Sequence, residues 1–388
     1  MDIRKFNFEW NGLDKHIKNL DISEYVGDSE EFVEVSLPSF VNTYGHNEKI
    51  LFPLKFVEPH QYSDIIIDFK KCNWIGAAEY LASLKFEKNS LINNLFSISN
   101  RHINQEIYNL ALVNRYLLFV RDYAAHEANK NNFIGSIGNG KIILSHDVDA
   151  IKVSYGLKIR QYFHTKKWPK LNRGENLNCI KEIVELEKKY GAKSIFFFNA
   201  GKKYFSIPLL DPNYKLKDLE NTFSFIIKNN FTIGLHPGII SSFSLLALKS
   251  EIKNLKYFSK VSEIVTRNHW LSHFKQRTWN IQSKAEIKTD FSIGFNDRPG
   301  FRNSSLISYK PIKDLEAIPM IVMDGQFHNY IKADKDSIIN FLKPIVEEIK
   351  NVGGVASINF HQRFFHSFYG YKDLYIELLE YLNEEGVL

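Results

Sequence analysis

Cysteine is nearly missing from this sequence: Cys72 and Cys179 are the only two in 388 residues. Their separation matches no paired spacing, which excludes a disulfide framework and a thiolate zinc site. Long apolar runs are absent as well, so no segment reads as a membrane span. The opening residues, Met1 to Trp10, lack an apolar stretch ahead of a small-residue cleavage site, and a cytoplasmic location is the resulting expectation. No Lys/Arg block exists either; the net charge of +6 is spread along the chain. That pattern gives no nucleic-acid signal and leaves an anionic substrate open.

What is present is a globular composition, with 44% hydrophobic and 24% charged residues, which argues against extensive disorder. The 31 Phe and 19 Tyr would suit stacking on sugar rings, although a compositional bias toward Lys, Asn, Ile and Phe is the favoured account of them. The length favours two domains, or one large barrel with an extension. The Gly/Asn-rich stretch 131–140 is the clearest break, dividing an N-terminal α+β segment, 1–139, from a regular segment, 140–388. Upstream, short β-like runs such as Asp64 to Asp68 fall within 30–70, and apolar spacing predicts helices over 73–87 and 91–128. No chemical constellation stands out there.

Downstream, strand-like runs at 141–147, 193–199, 231–236, 263–268, 290–295, 318–323 and 354–360 alternate with amphipathic helices at 176–190, 216–229, 244–258, 335–350 and 371–384. Gly191 and Gly353 stand where two of those helices should end. This alternation predicts an α/β fold, a (β/α) barrel of about seven parallel strands, because closure removes the sheet edges. Such barrels carry their chemistry at the C-terminal ends of strands.

The residues at those ends are polar and ionisable. They comprise Ser145-His146-Asp147-Val148-Asp149, Leu235-His236-Pro237-Gly238, Arg267-Asn268-His269-Trp270, Met323-Asp324-Gly325 and Asn359-Phe360-His361-Gln362, with Asp297-Arg298-Pro299 leading to Gly300-Phe301-Arg302. The two-residue period of a strand puts Asp147 and Asp149 on one face. Carboxylates that close repel unless a cation or a shared proton intervenes. One carboxylate and two imidazoles form a common hydrolytic metal set, and Asp149, His236 and His269 can supply it, leaving Asp147 as general base. Taken singly, each residue has a plainer reading as a helix cap, a turn, a hydrogen-bonded histidine or a solvated arginine. Coincidence at successive strand ends favours a shared site.

This ordered series resembles the polysaccharide deacetylase, or NodB-homology, superfamily (carbohydrate esterase family four-like), in an Asp-x-Asp form, over residues 141–361 and onward toward the C-terminus. The resemblance implies a distorted (β/α) barrel that removes acetyl or formyl groups from amino sugars with zinc or another divalent metal. It implies Asp147 as base, Asp149 and His236 as ligands, Arg302 as the arginine that orients the base, His361 as general acid and Asp324 as the aspartate behind it. One departure stands out: the usual second motif is His-x-x-x-His, yet four residues beyond His236 stands Ile240. His269 is the substitute, with His146 and His273 as alternatives. His164, His328 and His366 read as surface or loop residues.

Substrate contacts are expected from Arg267 and Trp270, and from Tyr162 and Trp168 in the aromatic and basic stretch 160–168 that follows the first strand. The activity implied is N-deacetylation or N-deformylation of an amino sugar in a glycan, or in a lipid-linked or nucleotide-sugar precursor. Two other readings remain: hydrolysis of a non-sugar amide on the same barrel, and a catalytically inactive glycan-binding module that has lost its metal.

Overall fold

The computed structural model describes residues 3–59, 67–100, 103–151, 175–201, 205–207, 210–212, 214–332, 335–366 and 369–388. Ten strands are found among them: β1 (Phe32–Ser36), β2 (Lys49–Pro53), β3 (Gly140–Val148), β4 (Ile195–Phe198), β5 (Thr232–Leu235), β6 (Val265–Thr266), β7 (Thr289–Ile293), β8 (Tyr309–Ile312), β9 (Leu315–Met323) and β10 (Gly354–Asn359). Seven of them pair in parallel in the order β10-β3-β4-β5-β6-β7-β9, and β10 also pairs with β9, which closes the barrel. All seven expected strands are present, each within a few residues of its predicted bounds. Elements that escaped the periodicity include helix Gln276–Lys284, the helical segment Gln326–Ile331, and β8, which lies antiparallel on the first part of β9.

Register decides what fills the barrel. Asp147 pairs with Phe197 and Phe197 with Gly234, so these residues share the inward face. A Cβ on Gly234 would stand 2.5 Å from the Phe197 ring, so this position needs glycine for the ring to occupy the interior. Phe197, Phe291 and Ile318 form a small apolar cluster separate from the main core. The main core lies between the strands and the surrounding helices, which include Glu175–Lys189, Leu245–Ser259, Lys335–Val352 and Lys372–Glu384. Gly191 and Gly353 adopt φ of +68° and +66° just beyond two of these helices, as expected of helix-terminating glycines. No described helix is long and apolar enough to cross a membrane.

The segment before Gly140 packs against the barrel, and the main apolar core runs through both. Its β1 and β2 pair antiparallel. The single helix expected over 91–128 is instead three: Leu91–Phe96, Glu106–Asn109 and Leu112–Glu127. The first ends at Ser97, which takes a left-handed φ of 44° and donates its hydroxyl to the Leu271 carbonyl at 2.6 Å. Tertiary contacts thus override apolar spacing there. The last of the three is buried along nearly its whole length and carries Arg115 to Glu348, with Nε–Oε1 at 2.9 Å and Nη2–Oε2 at 2.5 Å. The Asn114 amide bridges the Gly353 carbonyl and the Leu306 N–H at 3.0 and 2.8 Å.

Removing one member of a buried, bidentate ion pair strands the other charge, at a cost of about 3–5 kcal/mol. Glu348→Ala should therefore lower the unfolding free energy by about that amount in urea titrations followed by circular dichroism. A loss below about 1 kcal/mol would show that Arg115 finds another partner or water.

Candidate active site

The site rises in layers from the barrel interior. Arg267, fully buried just past β6, lies with its guanidinium 4.6 Å from the centre of the Phe197 ring. Its Nε donates to the Phe291 carbonyl at 3.2 Å, Nη2 to the Ser357 hydroxyl at 3.1 Å, and Nη1 to Asp147 Oδ1 at 3.1 Å. The other oxygen of Asp147 accepts from the Asn359 amide at 2.7 Å, while Asn359 Oδ1 accepts the Asp147 backbone N–H at 3.1 Å. Burial alone would raise the Asp147 carboxyl; His236, Arg267 and His361 outweigh it and hold it below the usual carboxylate range.

Two residues on, Asp149 stands on the same face at the cleft floor. Its Oδ1 lies 3.3 Å from His236 Nε2 and 3.7 Å from His269 Nε2, and these three atoms fall within 4.8 Å of one another. That Oδ1 is buried and accepts no hydrogen bond. Both imidazoles have their other nitrogen engaged: His236 Nδ1 donates to the Arg267 carbonyl at 2.5 Å, and His269 Nδ1 to Asp211 Oδ1 at 3.1 Å. Each Nε2 is therefore left as a lone-pair donor aimed at the orphaned oxygen. One carboxylate and two such imidazoles fit a divalent cation with open positions. Burial would raise the Asp149 carboxyl, but Arg363, His236, His361 and His269 together keep it well below the usual range. Burial would likewise lower His236, and Asp147 and Asp149 reverse this to a net rise, the mark of a site that attracts positive charge.

His361, just past β10, lines the same cleft. Its Nδ1 donates to Asp324 Oδ1 at 2.5 Å and its backbone N–H to Asp324 Oδ2 at 2.6 Å. Nε2 then faces the cleft, 3.4 Å from Asp149 Oδ2. Arg363 pairs with that same oxygen of Asp149.

The expectations for the two arginines need correction. Arg302 does not reach Asp147: its guanidinium forks onto Glu87 at 2.9 and 3.0 Å and onto the Ser97 hydroxyl, tying the barrel to the N-terminal segment. The place expected for it beside Asp147 is taken by Arg267, which in turn is too deeply buried to touch substrate. Of the alternative ligands, His146 points into the outer core, bonded to the Phe360 carbonyl at 2.6 Å and to Glu187 at 2.7 Å. His273 packs on Trp279, 3.6 Å from Asp290. His328 lies among the rings of Phe364, Tyr369 and Tyr371, and His366 is buried rather than on the surface. Tyr162, His164 and Trp168, and the run 64–66, lie outside the described residues.

Sequence reasoning missed Asp211, Asn359 and Arg363. The last two flank His361 at two-residue spacing, a strand-end signal that was available. Asp211 sits in a loop and carries no pattern.

The cleft above these groups is walled by Trp270, Leu271, Asn296, Met323, Asn329 and Tyr330. Trp270 and Leu271 have left-handed φ of 56° and 51°. The Asn296 amide holds this turn by donating to the Trp270 and Phe96 carbonyls at 2.6 and 2.7 Å, and the Phe96 ring meets Trp270 edge-on at 5.6 Å.

No protein-family model and no curated protein matches the chain. Among solved structures, one assigned as a polysaccharide deacetylase from Mycobacterium smegmatis is similar at 14% identity and a TM-score of 0.43, over 64% of this chain and 86% of that one. The catalytic domain of a peptidoglycan N-acetylglucosamine deacetylase from Eubacterium rectale ATCC 33656 is similar at 10% identity and a TM-score of 0.36, over 65% and 88%. A CE4 family pseudoenzyme from Bacillus anthracis is similar at 10% identity and a TM-score of 0.36, over 65% and 63%.

The ligand assignment has a direct check in elemental analysis of the purified chain. Asp149→Ala, His236→Ala and His269→Ala should each abolish stoichiometric zinc, whereas His146→Ala and His273→Ala should retain it if they fold. Full zinc in His269→Ala would remove that residue from the set.

Proposed function

We propose that this chain is a metal-dependent amide hydrolase that removes an N-acetyl or N-formyl group from an amino sugar in a glycan or a lipid-linked or nucleotide-sugar precursor. The observation carrying this reading is the convergence of Asp149, His236 and His269 on one orphaned oxygen, between an arginine-fixed carboxylate, Asp147, and an aspartate-fixed imidazole, His361. A divalent cation such as zinc, held by those three residues, would supply Lewis-acid polarisation of the acyl carbonyl and of the attacking water.

The chain's own groups move the protons. Asp147 is ionised at neutral pH and cannot rotate, because Arg267 and Asn359 hold both its oxygens; it accepts the proton of the attacking water. His361, with Nδ1 committed to Asp324, presents Nε2 to the cleft and donates a proton to the departing nitrogen. Base and acid thus line the same cleft. Trp270 and Tyr330 offer aromatic faces, and Asn329 an amide, a mixture suited to a sugar ring with its apolar faces and polar rim.

Acetate release from N-acetylated nucleotide sugars and oligosaccharides, measured together with zinc content, tests the reading. Release only from small non-sugar amides would move the substrate class while keeping the chemistry. A chain with no zinc and no release would be a binding module.

Two variants separate the roles. Asp147→Asn keeps the shape of the side chain but not the basicity, so kcat should fall about 100-fold or more with zinc retained. Near-normal turnover would make Asp147 structural. An amine departs poorly without a proton, whereas an activated phenol needs none; His361→Ala should therefore lose far more activity on the amide than on an activated acetate ester. Equal losses on both would argue that His361 stabilises the oxyanion.

A further inference from the structure

His269 stands beyond the shortest strand of the barrel. β6, which leads to it, is two residues long, and the loop beyond is held by side-chain and main-chain bonds outside the ladder, His269 N–H to the Pro237 carbonyl and Asn268 N–H to the Ser292 hydroxyl, each at 2.9 Å. The two residues that follow His269 both take left-handed φ. His236 is steadied by a main-chain carbonyl; His269 is steadied by a carboxylate from a different connection, the one after β4. Asp211 has a fully buried side chain. Its Oδ1 accepts from His269 Nδ1 and from the Ile239 N–H, each at 3.1 Å, and its Oδ2 accepts the Ile207 N–H at 2.7 Å. One carboxylate therefore joins three strand-end loops: its own, the one after β5 that carries His236, and the one after β6 that carries His269.

Given the metal reading above, on which the inference rests, we propose that Asp211 is a positioning residue for the metal, holding His269 in the tautomer and orientation that present Nε2 to Asp149. Only one ring nitrogen of a neutral imidazole carries a proton, so a carboxylate accepting at Nδ1 commits Nε2 to be the free donor. It also makes that donor more basic, and loss of such a partner typically weakens metal affinity about 10–100-fold. Four residues beyond His236 stands Ile240, which is half-buried. The second imidazole here comes from a separate strand end, and Asp211 bonds to both loops, as the Ser242–Ser272 hydroxyl pair does further along them.

The experiment is zinc affinity of the full chain by competition with a chromophoric chelator, for wild type, Asp211→Asn, His269→Ala and the double variant. Asp211→Asn should bind zinc about 10–100-fold more weakly than wild type. In the His269→Ala background it should cause no further loss, because its effect acts through that imidazole. Equal losses in both backgrounds, or affinity within twofold of wild type, would overturn the proposal and reduce Asp211 to a loop clasp. Histidine nitrogen-15 shifts of the zinc-loaded wild type give a second readout that does not depend on a variant folding: His269 should carry its proton on Nδ1, and the opposite tautomer would overturn the assignment. A wild type that binds no zinc would instead bring down the metal reading itself.

Discussion

A guanidinium buried inside a closed barrel is an expensive thing to keep, and the pair it makes with Asp147 is what the rest of this site depends on. Arg267 keeps its charge, so it requires an anion nearby, and its contact favours the ionised form of Asp147. The phenylalanine rings beneath exclude water and present a π face to the cation. Asn359 and Ser357 satisfy the remaining hydrogen-bonding positions from the neighbouring strand. The result is a carboxylate that is ionised at rest and held in one orientation at the bottom of a cleft.

From that fixed point the fold places the other groups by counting. A strand alternates sides, so the face that carries Asp147 also carries Asp149 one step nearer the solvent. Closure of β10 onto both β3 and β9 brings His361 and its supporting Asp324 to the same rim. The remaining donors come from β5 and the short β6. Sites of this kind are assembled from many loops, each contributing a residue or two, and the tolerances come from the sheet rather than from the loops.

This explains what could be read from the sequence. The seven strands were legible because each is an apolar run bounded by turns, and Asp147, Asp149, His236, His269, Asp324 and His361 were legible because they stand where those runs end. Partner identity was not legible. Arg302 and Arg267 both follow strands, and nothing in spacing tells which guanidinium turns inward; that depends on the register of β6 against β5 and on Glu87, a residue far away in sequence. Asp211 is invisible for a similar reason, since a loop carboxylate acquires meaning only from what folds against it. The helical period over 91–128 misled because Ser97 and Ser99 bond to the barrel, at the Leu271 carbonyl and the Asp297 carboxylate, instead of continuing the helix.

Asn296 spends both hydrogens of its amide on two carbonyls, one from the barrel and one from the end of helix Leu91–Phe96. The lip of the cleft is therefore cut from two pieces of chain, and only one of them belongs to the barrel that carries Asp147 and His361. Natural variation in the short helix can reshape the mouth while those two residues stay as they are. The opening and the polar groups beneath it can accordingly drift at separate rates.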